Sequence, residues 1–178
     1  MHDWALGIFG IALLLTGCAT IHAREAEQTA GDYADALNHH DVERMIALTD
    51  PEVIKRSTNG DELRKLWPQL FAQGDIHEEV RDVSPGFSDA KGMHFFVSTE
   101  RNMVWKDGRG QRSDNYYIVT SRDRGRTWTI VDLSCVDERW IKGIAPGWHG
   151  YPPAPKQAVF DYHVQAQLLD GPPSTTVK

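Results

Sequence analysis

At Gly74 the apolar pattern of the chain changes its period, and that switch limits the fold more than any other feature. Upstream, Ala26, Ala30, Tyr33, Ala34 and Leu37 recur at spacings of three and four from about Arg24. Glu25, Glu27, Asp32 and Asp35 lie elsewhere around the same turn pattern, which predicts an amphipathic helix. Asn38-His39-His40 breaks it, and Asp41 stands as N-cap to a second helix with Val42, Met45, Ile46 and Leu48 on its buried side. Pro51 ends that helix in this reading. A third is predicted over 61–73, where Leu63, Leu66, Trp67, Leu70 and Phe71 form an apolar stripe. Pro68 inside the stripe predicts a kink or a split into two short helices.

Downstream the pattern alternates. Strands are predicted over Ile76–Val83, Met93–Lys106, Ser113–Ser121 and Arg126–Val136, all rich in β-branched and aromatic residues. The turn clusters between them, Ser84-Pro85-Gly86, 106–110 and Asp123-Arg124-Gly125, are too short for anything but antiparallel hairpins. Helices first and a meander of strands after is the α+β order, with the helices packed on an antiparallel sheet. No period of about 20 to 50 residues repeats, which excludes solenoids and propellers. The length, 178 residues, fits one domain, and a hydrophobic fraction of 40% with six Trp, six Phe and five Tyr excludes disorder throughout. A net charge of −6 and a pI near 5.7 argue against a phosphate-backbone binder, so nucleic acid is not an expected partner.

The N-terminus reads as an address. Trp4 to Leu15, WALGIFGIALLL, is an apolar run too short to cross a bilayer as a helix, and it has the character of a signal-peptide core. Leu15-Thr16-Gly17-Cys18 follows directly and resembles the lipobox of bacterial lipoproteins, although Met1-His2-Asp3 lacks the usual Lys or Arg. The resemblance implies cleavage between Gly17 and Cys18, a thioether-linked diacylglycerol on Cys18 and a further acyl chain on its new amine. Two or three chains give lasting attachment to a bilayer. Ala19 in place of Asp points to the outer membrane, facing the periplasm. The alternative is an ordinary apolar helix with an incidental Cys. On this reading 1–17 is a signal peptide, 18–24 a lipidated tether, 25–150 the folded domain and 151–178 a Pro-rich tail. Cys135 is then the sole unmodified thiol, expected to be buried and inert. Within the tail Ala158–Leu169 can form a short element, and the final GPPSTTVK is expected to be loose.

Two further resemblances concern the domain. From Tyr33 to Trp148 the order of parts resembles the nuclear transport factor 2-like superfamily, which includes ketosteroid isomerases and polyketide-cyclase-like proteins. It is carried by "LNHHDVERMIALTDPEV", a striped helix, the hairpinned strands, "SRDRGRTWTIVDL" and the coda "IKGIAPGW". The resemblance implies a strongly curved sheet wrapped over the helices as a cone, with a pocket at the open end. It brings no catalytic motif. Ser121, Asp123, Gly125, Thr127 and Trp128 fit the Asp-box, S-x-D-x-G-x-T-W, a hairpin device found in sialidases and unrelated proteins. With a single copy, the structural reading is favoured over a sugar-binding one.

Chemistry-bearing patterns are sparse. The eight His show no H-x-H or H-x-x-x-H spacing, so no metal site is expected. There is no G-x-S-x-G elbow, Walker loop or dinucleotide fingerprint, and no cofactor is expected. Acid–base work in a cone pocket is what remains, with Asp132 as the carboxylate, in alternation with Trp128 and Ile130. His94 and Tyr117 are candidate assistants, and Tyr33, Trp67 and Phe71 the apolar lining. The competing reading makes Asp132 a solvated strand end and the others ordinary packing; no catalytic residue is assigned. Three functions follow: a module binding a small apolar ligand or an envelope protein, a small acid–base isomerase or dehydratase, or a structural homodimerising domain.

Overall fold

The computed structural model describes residues 4–134, 138–148 and 157–161, with side chains described for 20–134 and 140–148. The element order is α1 (Trp4–Asn38), α2 (Val42–Leu48), α3 (Pro51–Arg56), α4 (Asp61–Phe71), β1 (Gly74–Val83), β2 (Phe87–Asp89), β3 (Gly92–Trp105), β4 (Arg109–Ser121), β5 (Thr129–Asp132), α5 (Glu138–Ile144) and β6 (Gln157–Asp161). All pairings are antiparallel, in the order β1-β3-β4-β5, with β2 on β3 and β6 on β4. Helices precede a single open sheet, so the chain is α+β as the period switch requires. No helix among the described residues is long and apolar enough to cross a membrane.

Register decides which side chains meet. Val97 pairs with Tyr117, Tyr117 with Asp132, and Glu78 with Arg101. Because successive strand side chains point to opposite faces, one face carries Ile76, Phe95, Val97, Met103, Tyr117, Val119 and Ile130. These pack with Ala26, Ala30, Tyr33, Ala36 and Leu37 of α1. Ala26 and Ala30 are fully buried, and their small side chains let the helix backbone approach the sheet closely. The other face carries Phe96, Ile118 and Val131, covered by Ile141, Ile144 and Ala145 at α5 and by Val53 of α3. Both faces are therefore occupied.

Several boundaries differ from the sequence expectation. Pro51 does not simply end the second helix: α2 stops at Leu48, and Pro51 opens α3, where the missing N–H costs nothing and the Asp50 carboxylate caps the Glu52 N–H at 2.8 Å. Asp50 is itself buried, takes the Arg122 guanidinium at 3.0 Å, and its N–H reaches the Ile130 carbonyl at 2.8 Å. This ties the α2–α3 corner to the edge of β5. Pro68 neither kinks nor splits α4, which runs unbroken to Phe71. The carbonyl deprived of its donor belongs to Arg64, which like Pro68 is exposed, so water can serve it. α1 begins at Trp4 and runs through Arg24, because 12–24 contains no proline and one glycine. β4 starts at Arg109, four residues earlier than Ser113, since β3 pairs with 110–112 and β6 with 109–113. β5 covers Thr129–Asp132 only, because the Asp-box turn occupies 121–128; Cys135 and Val136 lie outside the described residues. Most of the tail lies outside them as well, apart from the backbone of β6.

The free edge of β1 is closed by a side chain. At Glu78, Asn38 at the C-terminal end of α1 donates Nδ2–H to the backbone carbonyl at 3.0 Å and accepts the backbone N–H on Oδ1 at 2.7 Å. The amide thus replaces a neighbouring strand. Asn38→Ala removes both bonds and is expected to lower stability by about 1–3 kcal/mol in urea denaturation, whereas Asn38→Gln is expected to restore only part.

Candidate functional site

Four of the proposed pocket residues meet on the α1 face. Tyr33 and Tyr117 pack edge to face at 5.2 Å, and Trp67 lies in the same core. Asp132 stands opposite Tyr117 in the ladder. Phe71 sits at the edge of this core, stacked on Trp67 at 5.8 Å and on His40 at 4.2 Å. Trp128, Ile130 and Asp132 share the α1 face, as their alternation predicts.

Asp132 is not on a solvated rim. It is 5% exposed and belongs to a buried network that the sequence reading missed. Arg101 on β3 reaches Asp132 Oδ2 through Nη2 at 2.8 Å and Glu78 Oε2 on β1 through Nε at 2.7 Å. Asn115 on the intervening β4 donates to Glu78 Oε1 at 3.0 Å and to Asp132 Oδ1 at 3.2 Å. Thr99 donates its hydroxyl to Glu78 Oε1. Ser134 donates both N–H, at 2.9 Å, and O–H, at 2.7 Å, to Asp132 Oδ1, and its Oγ accepts from Arg101 at 3.0 Å. The signal was present in the pattern. Glu78 alternates with Ile76 and Val80, and Thr99 and Arg101 with Val97 and Met103, so polar residues occupy core-facing positions.

The electrostatics follow from this packing. Burial raises the Asp132 carboxyl, but the Arg101 guanidinium and the Ser134 bonds outweigh it and hold the group below the usual carboxylate range. Burial likewise opposes the charge on Arg101, yet Asp132 and Glu78 push its pKa well above the ordinary value. Tyr117 is pushed well up by burial and then by the two nearby carboxylates, so its phenol stays protonated. Its hydroxyl has no hydrogen-bond partner among the described residues.

His94 does not join this group. It alternates with Phe96 and lies on the opposite face, fully buried. Its Nε2 is 3.0 Å from Asp89 Oδ1 and its Nδ1 is 2.8 Å from Thr120 Oγ1. In the neutral ring Nε2–H donates to the carboxylate and Nδ1 accepts the Thr120 hydroxyl. Asp89 Oδ2 also accepts the Gly147 N–H at 2.9 Å, which fastens the segment after α5 to the β2–β3 hairpin. Burial raises Asp89, but the Gly147 and Lys91 N–H groups and His94 lower it further than burial lifts it. The arrangement holds two segments together beneath Phe87, 5.0 Å from the imidazole.

The Asp-box residues make a self-contained turn. Asp123 Oδ1 accepts from the Thr127 N–H at 2.9 Å, the Arg126 N–H at 3.1 Å and the Ser121 hydroxyl at 2.9 Å, while Oδ2 takes the Thr127 hydroxyl at 2.7 Å. The Thr127 N–H and hydroxyl lower the Asp123 pKa to about 2. Ser121 Oγ accepts the Gly125 N–H at 2.7 Å. Gly125 has φ +86°, and a Cβ there would collide with the His22 imidazole. Trp128 donates Nε1–H to Glu25 Oε2 at 3.2 Å, docking the turn on α1.

A surface cavity adjoins the buried network. α3 contributes Val53 and Arg56 and the following Ser57; α4 contributes Glu62, Leu63, Lys65, Leu66 and Gln69; Trp140 of α5 and Ser134 complete a lining around about 570 Å³. Ser134 belongs to both the cavity wall and the Asp132–Arg101 network. The Arg56 guanidinium lies over the Trp140 ring at 4.8 Å. A second cavity of about 610 Å³ lies between Thr20, His22 and Ala23 of α1 and the β1–β2 turn. Among the described residues, no group of three or more His, Cys, Asp or Glu is placed to hold a metal ion. No family model matches the chain, and no curated protein matches it.

Two outcomes test this description. Arg101→Gln leaves two carboxylates buried without their cation and is expected to cost about 3–5 kcal/mol at pH 7 in urea denaturation. The depressed Asp132 carboxyl stabilises the native state above its unfolded pKa and loses that contribution as pH falls through its folded one, so the deficit is expected to shrink in acid. By the same sign, Asp123→Asn is expected to lower the guanidinium midpoint at neutral pH. That gap should close as pH falls from about 3.8 toward about 2.

Proposed function

We propose that the chain is a lipid-anchored envelope protein, held by acyl chains on Cys18, whose domain binds a small, largely apolar ligand in the groove between α3, α4 and α5. The observation that carries the binding part is the cavity of about 570 Å³ walled by Val53, Leu63, Leu66 and Trp140, within the range of small-molecule sites. The lipobox at Leu15-Thr16-Gly17-Cys18 supports the anchor and the outer-membrane, periplasm-facing location. The order of helices followed by a meander supports a nuclear transport factor 2-like domain with a curved sheet.

The acid–base alternative is supported less well. A general base needs a carboxylate whose burial raises its pKa and which faces the reacting group. Asp132 is instead held low and bonded on both oxygens, to Arg101, Asn115 and Ser134.

Two measurements on the full chain test the proposal. Cell fractionation is expected to find the protein with membranes and Cys18→Ala in the soluble fraction; membrane retention of the variant contradicts the anchor. Native mass spectrometry of protein purified gently from cells is expected to show a bound small molecule that Leu66→Glu releases. An apo spectrum for both proteins contradicts the ligand.

A further inference from the structure

Resting on the ligand-binding reading, the charges at the groove narrow what it accepts. Arg44, Arg64, Arg101 and Arg122 each meet a carboxylate. Arg56 meets none among the described residues; its guanidinium carbon stands over the Trp140 ring instead, 4.8 Å from the centroid. A cation–π contact made without a carboxylate partner leaves guanidinium N–H donors to receive a carboxylate or phosphate. Gly143 lies beside the guanidinium and brings no side chain to it; a Cβ there would be in van der Waals contact with Arg56 Nη2 at 3.7 Å. Lys65, one residue before Leu66, lines the same cavity and has no carboxylate partner among the described residues. One acid, Glu62, also lines it, but its Oε1 accepts the Thr58 hydroxyl at 2.9 Å.

The rest of the wall is apolar. Leu66 is one of two large hydrophobic side chains left exposed among the described residues, at 52%. A surface leucine, beside two cations that meet no carboxylate among the described residues and over a cavity reaching Val53, Leu63 and Trp140, joins an apolar path to an anion site.

We infer that the groove binds a free single-chain amphipathic anion, its carboxylate or phosphate on Arg56 and Lys65 and its alkyl chain along Leu66, Leu63, Val53 and Trp140. The volume of about 570 Å³ is enough for one such chain.

Isothermal titration of the full chain with dodecanoate and with dodecyltrimethylammonium, both below their micellar concentrations, tests this. Dodecanoate is expected to bind at least about tenfold more tightly than the cation of equal chain length. The double variant Arg56→Gln, Lys65→Gln is expected to abolish that preference while lowering Tm only by the small amount that losing one exposed cation–π contact costs. Leu66→Glu is expected to lose both amphiphiles. Equal affinity for the two probes, or full dodecanoate affinity in the double variant, overturns the anion assignment while the ligand-binding reading stands. Binding of neither probe overturns both. Capture by phosphatidylglycerol vesicles with no binding of free dodecanoate replaces the free amphiphile with a bilayer headgroup and overturns the assignment.

Discussion

One guanidinium, Arg101, holds the sheet together beneath α1. From β3 it reaches Glu78 on one neighbouring strand and Asp132 on β5, across β4, where Asn115 bonds to both carboxylates. Such a network is costly to bury and costlier to break, because each member left alone keeps its desolvation penalty. Its satisfaction is thorough: Thr99 and Ser134 take the remaining carboxylate oxygens, and Asn38 binds the backbone of Glu78. Register between four strands and the end of α1 is therefore specified by polar geometry at one end of this face. The apolar pairs around Val97, Val119 and Ile130 fill the other.

This constraint also separates stability from binding. Carboxylates committed to Arg101 have no spare oxygen for catalysis, and the aromatic residues beside them, Tyr33, Trp67 and Tyr117, are packed as core. The groove lies outside that core, where α3, α4 and α5 leave a gap over Ser134. There Arg56 and Lys65 meet no carboxylate among the described residues, and Leu66 is exposed. The proposed ligand would meet a surface whose floor is fixed by the ion network, so binding would need little rearrangement of the sheet.

Much of the architecture was legible because periodicity is a direct record of burial. The α1 stripe, the hairpin turns and the placement of Asp132 in line with Trp128 and Ile130 all follow from it. Short elements escaped, since three residues of β2 or six of α3 carry too little pattern, and a proline that looks like a stop is equally a start. Pairing across strands escaped as well. Glu78, Thr99, Arg101 and Asn115 are far apart in the chain and polar, and only register shows that they share a buried face. His94 was grouped with Tyr117 because both sit on adjacent strands; the ladder pairs His94 with Thr120, which puts it on the far side. The groove was the least legible feature, since Val53, Leu66 and Trp140 come from three helices whose relative placement depends on the whole fold.

The groove, and not the aromatic core, is where the ligand binds on this reading. The most direct test is a ¹⁵N and methyl chemical-shift map of the full chain titrated with dodecanoate. Shifts are expected to centre on the Val53, Leu63 and Leu66 methyls and the Trp140 indole, with Val97, Val119 and the Tyr33–Tyr117 layer unmoved. Shifts centred on that layer, with the groove silent, would contradict this binding site.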